Sequence, residues 1–542
     1  MDTPIVNITF LSLLEALLSF RLAPDILPVK TFTRALLTFS LVNYSIYFIY
    51  RVFIYPFFLS PLRHLPSPPN GGLPIFGHGF AMLKWPPGSP HLRMIKETEN
   101  DGIVLVRSFF NAERLILSKP AAIAEVLVAK SYEFEKPPWI RAFLRKFLGD
   151  GLLVTEGDEH KHQRKQIMPA FSFRHIKELY PVFWSKSIQL CQVIKSELGD
   201  SNDKVLEFNH FTTQVTLDII GLAGLGRDIG SLRNADDELI ELYEEILEPT
   251  PEKGAYFVCH LLFPSKLIAW LPWKLNERVR ITTSKLKQIC IDFVRDKRAR
   301  MKVEDKSHLD ILSIMIRSND FSDEGIVDQL LTFLAAGHET TSSALTWTAY
   351  LLATQPDVQR RLRTEIHDAI QDPETLSSPD VDIANLLESL PFLNAVCNET
   401  LRLYPTIPVS ARHSTRDTSI CGQFVPKNTD ILIIPWATNR DPSIWGDDAE
   451  SFRPDRWLDP TTGKANYVGG VDSNYSFLTF FHGPRSCIGQ GFARAELRSL
   501  VAAFVGSFEM EMANPNAIVM PGGAVTIKPR DGLRLKLRPL DW

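Results

Sequence analysis

The segment Phe480-Phe-His-Gly483-Pro-Arg485-Ser-Cys487-Ile-Gly489 carries the most distinctive cysteine of the chain. A thiolate that ligates a metal must hold its charge without being protonated. Glycines on both sides of Cys487 let the backbone turn tightly, so that N–H groups can face the sulfur. Arg485 offers a fixed fork of donors to a carboxylate, and Phe480 can shield the sulfur side from water. A helix signal over 490–500 follows at once, which sets the sulfur at a positive helix start. Together these features predict a depressed thiol pKa and a metal-ligating role. The other cysteines, Cys191, Cys259, Cys290, Cys397 and Cys421, form no Cys-x-x-Cys pair. They read as small buried hydrophobes rather than a zinc or iron–sulfur cage.

Three further groupings could carry chemistry or hold it in place. Ala336-Gly-His-Glu339-Thr340-Thr341 falls in the middle of a long apolar helical pattern. An acid beside a hydroxyl costs stability there unless both are used, and Gly337 would let a flat ring or a small gas molecule approach the backbone. The alternative is a polar turn facing solvent. Glu399-Thr-Leu-Arg402 puts a carboxylate and a guanidinium on one helix face, which alone is an ordinary surface pair. Phe452-Arg-Pro-Asp-Arg456-Trp457 lies downstream. Gly157-Asp-Glu-His160-Lys-His-Gln-Arg164 places His160 and Arg164 at i, i+4.

The cysteine segment resembles the haem-binding loop of the cytochrome P450 superfamily at each defining position: Phe480, Gly483, Arg485, Cys487 and Gly489. The other motifs follow the family's order, and the similarity covers 65–542. The hinge wording and the stretch 157–171 resemble filamentous-fungal members. The resemblance implies a mainly α fold with a small β portion, preceded by a microsomal-type membrane anchor. It implies haem b with Cys487 as the axial ligand, and Arg485, Arg412, Arg164 and His160 as propionate ligands. His160 stands where the commonest pattern has tryptophan. Glu339 and Thr340 match the oxygen-activating acid and alcohol, and Glu399, Arg402 and Arg456 a buried structural triad. The implied reaction inserts one oxygen atom from O2, with NADPH as electron source. The chain after Cys487 is too short for a fused reductase, so NADPH–cytochrome P450 reductase is expected as a separate partner, with cytochrome b5 as a second donor. Lys161, Lys165 and Arg494 could form its docking face, or simply a solvated charged face.

The elements that must position these groups read as one α-rich unit. Helical patterns cover 321–353, opened by Ser322-Asp323-Glu324, then 356–370 and 387–404. Strand signals fall at 104–107, 115–118 and 431–435, with a hairpin near Gly522-Gly523. Gly221-Leu-Ala-Gly224-Leu-Gly226 has the wrong glycine order for a dinucleotide loop. With 45% hydrophobic residues in 542, the core can enclose a bulky cofactor; a net charge of −4 gives no basis for a nucleic-acid partner.

The N-terminal region has two apolar stretches, 5–20 and 35–55. The first lacks a signal peptide's basic start. The second matches the ~20 residues that cross a hydrocarbon layer. Residues 1–59 thus read as an anchor region, 60–79 as a proline-rich hinge and 65–542 as the catalytic domain. Arg63, Lys84 and Arg93 favour a cytoplasmic body. Arg21, Lys30 and Arg34 weaken that orientation and argue against a two-span hairpin. The expectation is a single-pass protein of the endoplasmic reticulum membrane.

Phe134, Trp139, Ile140, Phe143, Leu144 and Phe147 line a lipophilic pocket or belong to the core. Tailoring of a terpenoid, polyketide or alkaloid suits a fungal-looking member, and long-chain fatty acid hydroxylation is the alternative. Two other classes stay open: a haem-thiolate isomerase or dehydratase, which needs no proton relay, and a non-catalytic haem sensor or lipid-binding protein.

Overall fold

Helix caps set the main scaffold. In the computed structural model, which describes residues 3–22, 31–199, 204–234, 238–247, 250–263, 265–303, 310–377, 381–523 and 525–542, the longest helix runs Asp323–Thr354. The Ser322 hydroxyl accepts from the Gly325 N–H at 3.1 Å and two acids fill the first turn, the pairing that favours a helix start. This long helix packs on Phe208–Ile219, on Lys274–Val303 and on Gln490–Ser507, the helix that follows Cys487. The last of these also packs along Phe173–Leu198. The main apolar core lies among these helices.

The expected helix over 387–404 is two helices, Ile383–Ser389 and Pro391–Leu403. Pro391 keeps Leu390 extended, at φ −76° and ψ 103°. Both carboxylate oxygens of Glu365 accept from the exposed N–H groups of Phe392 and Leu393 at 2.8 Å. Gly221 and Gly224 fall in a π-helical turn, Ile220–Gly224, where Ile229 occupies the space a Gly221 side chain would need.

The main sheet has the order Ile103–Arg107, Glu113–Leu117, Asp430–Ile433, Ser410–Ser414, Phe134–Glu135. Only the second and third strands pair in parallel. Both faces are buried: Ile103, Leu105, Leu115 and Ile431 enter one apolar cluster, and Val104, Val106, Ile116 and Leu432 another. The expected C-terminal hairpin forms between Pro521–Gly522 and Lys528–Pro529.

Two helices precede the body, α1 (Thr3–Leu22) and α2 (Phe32–Ile49). The second continues as a π-helical segment to Leu59, and Phe32–Leu59 is long and apolar enough to cross a membrane, with 6% of its most apolar stretch buried. Its end is held by the body. The Arg107 guanidinium donates to the Pro56 carbonyl at 3.1 Å, the Asn111 amide to the carbonyls of Val52 and Pro74 at 2.9 and 2.7 Å, and Ser60 to Glu113 at 2.6 Å. Leu62 and Leu65, in the proline-rich stretch, are buried. Lys30 lies outside the described residues.

Glu399 and Arg402 are fully buried and form a two-bond pair at 2.8 Å, and Arg456 joins at 2.9 Å. The Trp457 indole and the Arg453 N–H also donate to Glu399, each at 2.9 Å. Removing one partner strands the others without solvent. Glu399→Ala is therefore expected to cost about 3–5 kcal/mol and to give aggregated, unfolded protein. A cooperative melt at the parent temperature would contradict that role.

Candidate functional site

The loop before the helix Gln490–Ser507 holds Cys487 by local geometry. Phe481 and Gly483 both have positive φ, 54° and 75°. At Gly483 a side chain would meet the Leu127 carbonyl oxygen at 2.1 Å, so the close approach requires glycine. The Cys487 N–H donates back to Phe480 at 2.9 Å and Gly489 accepts from Ala493 at 2.8 Å. The cysteine side chain is open by surface area, yet burial is the leading influence on its thiol. It therefore faces an interior space rather than bulk water. Burial pushes the thiol pKa up, against the Gly489 N–H and Arg164, which pull it down. The expected depression does not hold for the protein alone, because the loop's dipoles do not outweigh lost solvation. A bound cation would deprotonate the sulfur.

Beside this loop lies a buried charge cluster. Arg485 pairs with Glu156 through Nε at 2.6 Å and stacks on Tyr132 at 4.6 Å. Lys136 approaches the same carboxylate at 3.6 Å and bonds it through its own backbone N–H at 3.0 Å. Arg412, on the strand Ser410–Ser414, is 5% exposed and its Nη1 donates only to Ala411 and Ser410. Burial, with the Arg485 charge adding to it, lowers the Arg412 pKa to about 10, while Glu156 opposes. Burial lowers Lys136 to about 8. For Glu156, burial raises the pKa, but Lys136, Arg485 and Arg412 outweigh it and the net shift is down. His160 is buried, its Nδ1 has no partner, and burial with Arg485 and Lys136 drives it to about 4. It is thus a neutral imidazole. Three cations face one carboxylate, an excess of two positive charges.

Arg164 is placed differently from its neighbours. Its Nη1 donates to the Ser486 carbonyl at 2.7 Å and its Nη2 to the Ser486 hydroxyl at 3.2 Å. Those bonds brace the cysteine loop, and its charge acts on Cys487.

On the long helix, Thr340 and Glu339 diverge. Thr340 lies on the open side, beside exposed Ala336, and its hydroxyl donates to the Ala336 carbonyl at 2.8 Å. Glu339 is buried on the other side. It accepts from Thr526 Oγ1 and Lys528 Nζ, both at 2.9 Å, with His338 Nε2 at 4.0 Å. Burial raises its pKa, but Lys528 and His338 more than reverse this, so the carboxylate is held ionised. The space beyond Gly337 is filled by Ile220 at 3.0 Å. The glycine therefore allows Ile220 to pack closely against the long helix.

Several residues were not legible in advance. Lys136, Glu156, Thr526 and Lys528 carry no motif and come together over long sequence separations. Arg494 was expected on a docking face; it instead turns inward, donating to Asn398 at 2.7 Å and stacking on Phe480 at 5.2 Å. Lys161 and Lys165 are exposed. Among the pocket candidates, Phe134 is core and Ile140 packs on a second cluster. Phe143 contacts Phe147 and Phe257 at 5.2 and 5.3 Å, and Trp139 contacts Phe257 at 6.4 Å, forming an aromatic group with the helix Pro251–Leu262.

An open sulfur on a glycine-shaped loop, next to two uncompensated positive charges and an unpartnered imidazole nitrogen, fits a metal ring carrying two carboxylates. No cluster of His, Cys, Asp and Glu that could cage a metal ion occurs among the described residues, so a metal at Cys487 would have to bring its remaining ligands with it. Fold and site together define a haem-thiolate protein. The family model for cytochrome P450 matches residues 66–534, and the chain belongs to that family. It is 42% identical over 500 residues to cytochrome P450 monooxygenase sphH of Aspergillus fumigatus, covering 91% of each chain. It is 39% identical to ptmK of Penicillium ochrochloron, covering 92% of this chain and 98% of that one. It is 37% identical to FUM15 of Gibberella moniliformis, covering 91% of each.

Cys487→Ser is expected to abolish the red-shifted carbon monoxide band of the reduced protein; retention of that band would disprove the ligand assignment. Lys136→Met removes one of the three cations. Haem transfer to an apo-globin should then be faster by roughly ten- to a hundred-fold, matching the ~1.5–3 kcal/mol of a charged hydrogen bond.

Proposed function

We propose that this chain is a membrane-attached haem-thiolate monooxygenase that oxidises a lipophilic small molecule, as a tailoring step on a terpenoid, polyketide or alkaloid. One observation carries the reading: Cys487 opens inward beside a buried cluster with two excess positive charges. The similarity to fungal proteins named monooxygenases supports it. When bound, haem b supplies the iron at which O2, two electrons from NADPH and two protons yield one inserted oxygen atom and water.

The chain's own residues set the conditions for that chemistry. Cys487 would supply the thiolate that holds the haem iron, and Phe480 with Arg494 packed on it closes the sulfur side. Arg485, Arg412, Lys136 and His160 would hold the two carboxylates of the ring. Arg164 acts one step back, through Ser486. Thr340 is the proton-handling hydroxyl. While Oγ1 donates to Ala336, its lone pairs face the open side; donating there breaks a 2.8 Å bond to the helix backbone. Glu339, ionised and bonded to Lys528 and Thr526 on the other side of the helix, would pick up and pass on a proton only after leaving those partners.

Electrons reach the protein through NADPH–cytochrome P450 reductase, with cytochrome b5 as a second donor, and exposed Lys161 and Lys165 suit an acidic partner surface. The body stands on the cytoplasmic side of the endoplasmic reticulum, attached through Phe32–Leu59.

Thr340→Ala tests the reaction class. With reductase, the variant should still bind substrate, form the carbon monoxide complex and consume NADPH. Product per NADPH should fall by roughly 10²-fold, the range for losing one proton-transfer group, and hydrogen peroxide should rise. An isomerase would show no NADPH dependence in either form, and a sensor would make no product. Unchanged coupling would move the relay to Thr341.

A further inference from the structure

The helices α1 and α2 lie antiparallel: Thr9 meets Tyr44 at 2.7 Å, Asn43 reaches Ser12 and Glu15, and Phe20 sits edge-on to Phe32 at 6.3 Å. The polarity of this pair is inverted. On α1 the inward residues are Ser12, Glu15, Ala16 and Ser19, spaced as one helix face. The Asn43 amide donates to Ser12 Oγ at 3.1 Å and to Glu15 Oε2 at 2.6 Å, so the polar groups satisfy one another between the helices. The outward faces are apolar, with Phe10 66%, Leu37 65% and Leu41 71% exposed. A hairpin stable in water would bury its leucines and expose its serine, asparagine and glutamate. The reverse arrangement is what hydrocarbon imposes. Small residues allow close helix approach there, and polar groups turn inward to find partners. Ser12 and Ala16 supply that small-residue spacing.

We propose that α1 and α2 enter the bilayer together as a two-span hairpin whose outer surface is covered by lipid acyl chains. The twenty residues of α1 extend about 30 Å, the thickness of the hydrocarbon layer. Its N-terminal end lies level with Tyr50 and Arg51, at the body's side of the membrane, since Thr9 already meets Tyr44. This departs from the single-pass expectation, which rested on Arg21, Lys30 and Arg34. Those charges do not discriminate. Once the body is on one side of the membrane, the start of α2 is on the other, and Arg21 and Arg34 lie at that far end for either arrangement. The location of Glu15 at mid-depth is tolerable because Asn43 faces it.

The inference rests on the preceding reading only for which side is cytoplasmic. The test uses the full chain with an epitope tag before Met1, between α1 and α2, or after Trp542, and protease added to sealed microsomes. The hairpin predicts that the first and last tags share one fate and the middle tag the opposite one. Digestion of the first and last tags with protection of the middle one supports both the hairpin and the cytoplasmic body. Protection of the first and last with digestion of the middle one keeps the hairpin and overturns the cytoplasmic reading. If the first tag behaves like the middle one and unlike the last, only α2 spans and the proposal is wrong. If all three share one fate, neither helix crosses and the proposal is equally wrong.

Discussion

Glu399 is a carboxylate without solvent, and the part of the fold that leads to the cysteine loop is arranged around supplying its hydrogen-bond donors. Arg402, Arg456, Trp457 and the Arg453 N–H all donate to it. A buried charge this well paired contributes little net stability over an apolar substitute, but it permits only one arrangement of its partners. That restriction is transmitted. Arg402 also donates to the carbonyls of Asn439 and Ala449 at 2.6 Å. The Asn439 amide donates to the Arg402 carbonyl and to Thr479 Oγ1, and its oxygen accepts from Leu478, while Thr479 donates to Leu401. Leu478 and Thr479 lead directly into Phe480 and the cysteine loop. The position of Cys487 is therefore set by one carboxylate more than eighty residues earlier in the chain.

The charges near the site divide into two kinds. Beside the cysteine loop, Lys136, Arg412 and Arg485 exceed Glu156, an imbalance that further negative charge would relieve. Across the long helix from Thr340, Lys528 and Glu339 balance within the protein itself. Buried groups thus encode a demand for an anionic cofactor in one place and a self-contained store of charge in the other. The contrast explains why Glu339, adjacent to Thr340 in sequence, does not share its side of the helix.

Local physics was readable from the residues. Ser322 caps the long helix, Glu399 and Arg402 meet at i, i+3, and glycines flank the cysteine as the turn demands. What could not be read depends on partners far away in sequence. Leu390 breaks a helix because Pro391 disfavours its continuation and Glu365, from another helix, accepts the freed N–H groups. Gly337 is explained by Ile220, Arg164 by Ser486 and the inward turn of Arg494 by Asn398. None of these pairs has a spacing that a pattern could reveal. Lys136 and Glu156 look like ordinary surface charges until the sheet and the helix Gly157–Ile167 bring them beside Arg485. The thiol shift ran opposite to expectation for a related reason: motif reasoning counts the dipoles aimed at a sulfur but not the solvent it has lost.

The N-terminal hairpin and the body obey opposite rules because they fold in different solvents, and the chain must join them without leaving backbone groups unpaired. The π-helical segment Tyr50–Leu59 contains Pro56 and so cannot close every helical bond. The body supplies the missing donors: Arg107 reaches the Pro56 carbonyl and Asn111 reaches Val52. Both residues belong to the hairpin that opens the main sheet, where Phe110 and Asn111 adopt positive φ to make the turn. Around this junction Phe76, Phe80 and Phe110 remain exposed, with Phe76 and Phe80 in contact at 5.0 Å and Phe48 of α2 touching Phe110 at 6.2 Å. The apolar surface of the anchor thus continues onto the body without a polar break. A joint built from a charged side chain and an amide gripping backbone carbonyls resists bending, so the same contacts that satisfy the irregular helix fix the angle at which the body meets the membrane.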